Sequence, residues 1–357
     1  MTEEPEELDE TGGGPLMSRR RLFVLAAVVA QAVAVAVGGF LHAIRDQHRR
    51  EAPTAATARD RALDMSTVLA GPHVVFCSTA LGPTYGKVAD VPLADPAGPR
   101  AVSAISAERV HGQAGTPVCL QADRGVVTTY RALVLDSALR PVRRLTLSGG
   151  PKPARVSSDG TLAAWTVIVV GTGCTDAKME LETIIEDLAH QKSYGALEKT
   201  FRVLGDGERM TAAIVNVWDV TFQPGPRPTR FYVTVSDNTT TWLAEGDLTT
   251  RTITAFHRNG QTPSLSPDGR TLVFVERQGS SLTHFRLRAL DLATKREWDL
   301  PETRSVSDQV EWLDNTHVLY GIPRNGTAET DVWLVPLRGG SPALFIPNAA
   351  SPAVVRP

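Results

Sequence analysis

From residue 71 to the C-terminus the apolar positions fall in short runs, broken at regular intervals by Pro, Gly, Asp and Asn. The pattern is clearest over residues 262–300. Thr-Pro-Ser-Leu-Ser-Pro-Asp-Gly (262–269) leads into Thr-Leu-Val-Phe-Val (271–275), Phe-Arg-Leu-Arg-Ala-Leu-Asp-Leu (285–292) follows, and Lys-Arg-Glu-Trp-Asp-Leu (295–300) closes the unit. Runs of this length, rich in β-branched and aromatic residues and bounded by turn formers, predict strands rather than helices. Four such strands make a unit, and six units follow one another. The third strands end in related pieces around positions 92, 136, 187, 247, 291 and 336, at intervals of 44, 51, 60, 44 and 45 residues. A four-stranded unit recurring at roughly 40–50 residues is the signature of a β-propeller blade, which has two apolar faces and must stack on neighbours to bury them.

The strands expected in blade 2 are 109–113, 118–122, 131–136 and 142–147. Blade 3 is read as 154–160, 162–170, 183–188 and 196–203, with loop excursions at 171–180 and 204–211. Blade 4 takes 215–222, 231–235, 241–248 and 252–256, and blade 6 takes 309–313, 317–320, 331–337 and 343–346. Blade 1 opens with 71–80 and arrives without an inner strand of its own. Residues 352–356 at the other end of the chain have the missing character, so both ends are expected to build one sheet beside residues 73–78. Closure of this kind removes the exposed edges of an open array. The six tryptophans, at positions 165, 218, 242, 298, 312 and 333, are read as packing between blades. In Ser-Pro-Asp-Gly, Pro presets φ, Asp accepts backbone hydrogen bonds and Gly tolerates positive φ, which makes Asp159 and Asp268 hairpin residues rather than catalytic carboxylates.

A different pattern precedes the array. Residues 1–21 form an acidic tail and a basic collar, expected to be disordered: six acids and no base lie in 1–14, then Arg19–Arg21. Residues 22–41 carry no charge, with Gln31 the one polar side chain. About 20 apolar residues span a hydrocarbon layer of roughly 30 Å, whereas a cleaved signal has an apolar region of about 7–15. Residues 22–44 are therefore read as a retained transmembrane helix, and 45–70 as a juxtamembrane stalk. Two alternatives stand beside this: Ser18-Arg19-Arg20-Arg21-Leu22-Phe23 has the form of a twin-arginine export signal, and a buried soluble helix is the plainer option. Arginines 45, 49, 50, 59 and 61 follow the span, so a literal positive-inside count places the C-terminal side in the cytoplasm. That rule weakens for long domains, and the expected arrangement is a cytoplasmic N-terminus with an extracytoplasmic propeller.

Net charge is −2, and removing the tail and collar leaves about +1 with both signs interspersed, which gives no footprint for nucleic acid. Arginine far exceeds the six lysines, pointing to a GC-rich bacterial genome. Cys77, Cys119 and Cys174 have no Cys-x-x-Cys or zinc spacing. A Cys77–Cys119 bridge across neighbouring blades is conceivable in an oxidising compartment, and small apolar fillers are the alternative reading. No Gly-x-Ser-x-Gly elbow, sialidase-type Asp box, Walker loop, Rossmann glycine set or His-Glu-x-x-His occurs. His73, His111, His257, His284 and His317 are scattered and read as structural.

Ser266-Pro267-Asp268-Gly269 followed by Leu272-Val273-Phe274, with Leu290-Asp291-Leu292 downstream, resembles the TolB-type propeller repeat. That repeat also occurs in the propellers of prolyl-oligopeptidase-like enzymes. The likeness covers residues 71–357, and the whole chain is similar to membrane-anchored TolB-like proteins of GC-rich Gram-positive bacteria. TolB carries an α/β domain where this chain has an anchor and stalk, so the resemblance implies only a general role and no site residues. The reading is a non-enzymatic, single-pass plasma-membrane protein. Its monomeric six-bladed propeller binds an envelope protein or glycan, with no cofactor and no catalytic or metal residues. The alternative is a propeller hydrolase or lyase whose channel site is assembled from single residues on different inner strands, such as His111, Arg155, Asp219 and Glu311.

Overall fold

The computed structural model describes residues 63–169, 180–211, 215–237, 239–279 and 284–356. Within them the chain forms six sheets around a ring. Blade 1 contains β1 (His73–Ser78), β2 (Lys87–Pro92) and β3 (Ala101–Ser106), and blade 2 contains β4 (Arg109–Gln113), β5 (Thr116–Arg124), β6 (Thr128–Leu135) and β7 (Pro141–Leu147). Blade 3 is β8 (Gly150–Val156), β9 (Leu162–Val169), β10 (Glu180–Asp187) and β11 (Lys192–Ala196). A small hairpin, β12 (Arg202–Gly205) and β13 (Glu208–Arg209), precedes the four strands of blade 4, β14 (Asn216–Phe222), β15 (Arg230–Ser236), β16 (Thr241–Asp247) and β17 (Thr252–Arg258). Blade 5 has β18 (Gly260–Leu265), β19 (Thr271–Arg277), β20 (Phe285–Asp291) and β21 (Glu297–Asp299). Blade 6 has β22 (Glu311–Trp312), β23 (His317–Pro323), β24 (Thr330–Pro336) and β25 (Ala343–Ile346). The last strand, β26 (Ala349–Val355), returns to blade 1.

Strand β1 shows why the blades must stack. All six of its residues are buried. Successive side chains point to opposite faces of a strand, so Val74 and Phe76 pack with Leu319, Val332 and Ile346 of blade 6. Val75 and Cys77 pack the other way, with Val110, Cys119 and Leu133 of blade 2. The same arrangement recurs at each boundary: blades 2 and 3, 3 and 4, 4 and 5, and 5 and 6 each share one apolar cluster. Trp165 and Trp312 sit inside two of these clusters, with Trp298 and Trp333 packed against the second.

The ring closes as the missing inner strand of blade 1 requires. β26 runs antiparallel beside β1, pairing His73 with Val355, Val74 with Val354 and Val75 with Ala353. The strand is longer than residues 352–356, beginning at Ala349 opposite Ser78. In the two Asp-Gly hairpins, Ser157 Oγ donates to Asp159 Oδ1 at 2.6 Å and Ser266 Oγ to Asp268 Oδ1 at 2.6 Å. Gly160 and Gly269 follow at φ 72° and 73°, a region open to glycine.

Blade 3 departs from expectation. Its outer strand is Lys192–Ala196 and not 196–203, because Leu197–Thr200 form a helical turn. Leu197 and Phe201 have the i, i+4 spacing of one helix face, and Phe201 and Val203 the alternation of a strand; all three bury against blade 4. The chain thus crosses early. β12 pairs in parallel with β17, and residues 204–211, expected as a loop, contribute to a six-stranded sheet. The part of the other expected excursion that spans 171–179 lies outside the described residues, as do the expected tail and membrane segment and most of the expected stalk. Of residues 45–70, the described end forms α1 (Met65–Leu69), capped by the Asp64 carboxylate accepting Thr67 N–H at 3.0 Å, with Met65 and Leu69 packed on the blade 1–2 cluster. Among the described residues no helix is long and apolar enough to cross a membrane.

Cys77 and Cys119 are free thiols buried in one cluster, so the considered bridge is not formed and both act as apolar fillers. Burial pushes the Cys77 thiol up to about 12 and Cys119 well above its ordinary value. The thiolate is the reactive form. In a Cys174→Ser chain, neither remaining cysteine should react with a thiol reagent over an hour under native conditions, and both should react in denaturant. Labelling of the folded protein within minutes would show that the blade 1–2 boundary opens.

Candidate functional site

Three of the four channel residues named from the sequence meet. His111 comes from the inner strand of blade 2, Arg155 from that of blade 3 and Glu311 from that of blade 6, all buried. Val156 N–H donates to His111 Nδ1 at 3.1 Å, so the neutral ring carries its proton on Nε2, 3.3 Å from Glu311 Oε2. Arg155 Nη1 lies 2.9 Å from the same ring nitrogen, two donors side by side that share Glu311 Oε2 as their acceptor, while Nη2 donates to Val310 O at 2.9 Å. The other carboxylate oxygen accepts Val354 N–H from β26 at 3.1 Å. Burial opposes ionisation of Glu311, but His111 and Arg155, with the hydrogen bonds it accepts, outweigh burial and hold the carboxyl below its usual range. Burial first, and then the Arg155 charge, lowers the pKa of His111. The result is a neutral imidazole beside an arginine–carboxylate pair, with both ring nitrogens engaged.

Asp219 stands apart from this trio. The Arg155 charge reaches it, but the larger influences lie where the inner strands begin: Lys152, then Asp308 and the Arg109 that pairs with it. The side chains of Arg109 and Asp308 are 28% and 32% exposed, so this layer reaches solvent. Asp219 itself is buried at φ 57°, within a register shift between Trp218 and Thr221 on β14. A non-glycine residue in the left-handed region beside a bulge is strained. Desolvation raises its carboxyl to about 6, and Oδ1 has no hydrogen-bond partner. Gln309 Nε2 braces the same level, donating to Val220 O at 3.1 Å and Pro263 O at 2.6 Å. Among the described residues, no three His, Cys, Asp or Glu side chains are grouped to hold a metal ion.

The other histidines sit elsewhere. His257 Nε2 is 2.9 Å from Glu297 Oε1, and His317 Nδ1 is 3.2 Å from Asp314 Oδ1. His73 faces Asp90, a fully buried carboxyl that the sequence reading passed over. A lone acid within the apolar run Val88–Val91 was the available signal, because a strand buried on both faces leaves no solvent side for it. Arg109, Asp308 and Lys152 had no such signal: single charges near the starts of inner strands look like ordinary surface residues.

No family model and no curated protein matches the sequence. Solved structures do. They include a nidogen/laminin complex, with 12% identity over 80% of this chain and 98% of that one at a TM-score of 0.52. TolB from Acinetobacter baumannii matches with 14% identity over 80% and 67% at 0.48. A puromycin-hydrolysing peptidase from Mycobacterium tuberculosis matches with 14% identity over 78% of this chain and 44% of that one at 0.45. The likeness is one of fold. Proteins named TolB and peptidases both appear among the neighbours, and at these identities neither brings an activity with it.

Proposed function

We propose that this protein is a non-enzymatic binding platform that engages a protein partner with the charged mouth of its channel, where the inner strands begin. The membrane segment at residues 22–41 would hold it on the plasma membrane with the propeller outside the cytoplasm. The supporting observation is that the His111–Arg155–Glu311 cluster has its acid and base groups taken up: neither ring nitrogen is free to act as a base, the carboxylate accepts from two blades and the C-terminal strand, and Arg155 Nε is left as the one nitrogen of the trio without a partner. With that cluster engaged, the partly exposed layer of Arg109 and Asp308, with Lys152, is the charged face offered to a partner. Charges of this kind set partner choice and association rate. Capture from crosslinked membranes should recover a reproducible partner, and charge reversal at Arg109 and Lys152 should reduce that recovery about tenfold in variants that still melt like the parent. Recovery no richer than with an unrelated tethered propeller, or unaffected by the reversals, would sink the reading.

One observation favours a second reading, a channel enzyme. A strained, buried carboxyl with a pKa near neutrality suits general acid–base work. That reading requires a turnover abolished by Asp219→Asn in a folded protein.

A further inference from the structure

A second site lies away from the channel, between blades 1 and 2. A cavity of about 130 Å³ opens there, under α1. Its walls are mostly apolar: Leu69 of α1, Val75 of β1, Pro117 of β5, Leu139 beyond β6, and Val355 of the closing strand, with Thr116 and Gln113, whose Nε2 donates to Val354 O at 3.0 Å, beside them. The mouth lies at Gly115 and Ser137, both exposed. Asp90 also lines the cavity; it is 0% exposed, and neither carboxylate oxygen has a hydrogen-bond partner. Beside it, His73 places Nε2 3.6 Å from Asp90 Oδ1, too far for a hydrogen bond. The ring's orientation is fixed by Nδ1, 2.7 Å from Gly71 O. A carbonyl only accepts, so Nδ1 carries the proton and Nε2 presents a lone pair.

The polar groups at the base therefore both accept: a carboxylate and an imidazole nitrogen. A buried carboxyl without a partner costs stability, and native structures resolve such groups with a ligand, an ion or ordered water. An ammonium group supplies three donors and no acceptor, which complements this pair. The apolar walls accommodate a short alkyl chain. The volume is well below the roughly 300–1,000 Å³ of sites for drug-sized molecules and close to a cavity that takes benzene. We infer that the cavity between blades 1 and 2 binds a primary alkylammonium group of about four carbons, its nitrogen donating to the Asp90 carboxylate and to His73 Nε2. The shared chemistry fits either a free aliphatic amine or the end of a lysine side chain.

Titration gives the site a pH signature. Burial pushes the empty Asp90 carboxyl up to about 8. The titratable groups around it are His73, whose pKa burial lowers, and Cys119, whose pKa burial raises, so both are uncharged near pH 8. Binding of a cation to the carboxylate then releases the Asp90 proton at lower pH, and affinity rises with pH until the empty site is ionised. The amine, with a pKa of about 10.4, remains charged throughout.

Calorimetric titration of the full chain with n-butylammonium chloride tests this. Saturable binding is expected at pH 8.5 and about 25-fold weaker binding at pH 6.5, following the ionised fraction of Asp90. n-Butanol should bind at least tenfold more weakly at pH 8.5. Asp90→Asn keeps the shape of the side chain and should lose the ammonium preference while melting at or above the parent temperature. Equal binding of butanol, an unchanged Asp90→Asn, or a flat pH profile in the unaltered protein would each overturn the assignment and leave a water-filled cavity. Nα-acetyl-lysine methylamide separates the sources: binding as tight as the free amine assigns a lysine of a partner, and binding of the free amine alone assigns a small molecule.

Discussion

A chain that stops at Asn348 should fail to form a stable ring. It lacks β26, so β1 loses its inner neighbour along most of its length. Several ladder hydrogen bonds disappear, each worth about 0.5–1.5 kcal/mol net. Ala349 and Val354 leave the blade 6–1 cluster, and Ala353 and Val355 the blade 1–2 cluster; a fully buried valine alone is worth roughly 1.5–3 kcal/mol. Polar contacts between strands go as well: Gln113 Nε2 to Val354 O at 3.0 Å, Ser351 Oγ to Val110 O at 3.0 Å, and Val354 N–H to Glu311. Together these losses match or exceed a typical folding stability of about 5–15 kcal/mol. Circular dichroism melts of the two chains decide the matter. The truncated chain is expected to show no cooperative transition, or to aggregate. A melting temperature within a degree or two of the full chain would falsify the closure argument.

The second large effect is expected at Glu311. Glu311→Ala leaves the Arg155 guanidinium buried without its counter-charge, and breaking a buried pair in this way costs about 3–5 kcal/mol. Removing both partners is a different matter. Arg155→Met with Glu311→Leu deletes the charge and the need for it together, so the double variant should lie closer to the parent than Glu311→Ala does. The acid side carries a further expectation. Because the Glu311 carboxyl is held below its unfolded value, the stability it contributes is complete above that value and is lost as pH falls through the folded pKa. Denaturant titrations at pH 7.5 and pH 4 should show a smaller acid-side loss in the double variant than in the parent. A double variant no more stable than Glu311→Ala would mean that the cluster is not acting as a charge pair.

The strands of blades 2, 4 and 6 were legible because their apolar runs end at Pro, Gly and Asp corners, and the closing strand because blade 1 was one strand short. The crossing from blade 3 to blade 4 was not. Residues 197–203 satisfy a helical spacing at Leu197 and Phe201 and a strand spacing at Phe201 and Val203, and only packing against blade 4 selects the sequence of turn then strand. The site divided in the same way. His111, Arg155 and Glu311 were plausible as polar residues on inner strands, but which of them touch depends on register across opposite sides of the ring. Asp219 sits beside a bulge that its neighbours Trp218 and Val220 do not announce. Asp90 interrupts an apolar run in the sequence, and the burial of both faces of β2 gives that interruption its weight.

The pairing that closes the ring also fixes how the propeller answers to force. His73 begins β1 and faces Val355, which ends β26, so the two ends of the array lie side by side. Tension applied between them would open the seam one rung at a time, from His73 and Val355 toward Ser78 and Ala349, which is the weak direction of an antiparallel pair. Tension between residue 73 and a partner held on the ring acts differently. It draws β1 along its own axis and loads its rungs to β26 and β2 together. A ring pulled at residue 73 while held at its mouth would therefore be loaded in shear, and the same seam that unzips rung by rung from His73 and Val355 would resist as a whole.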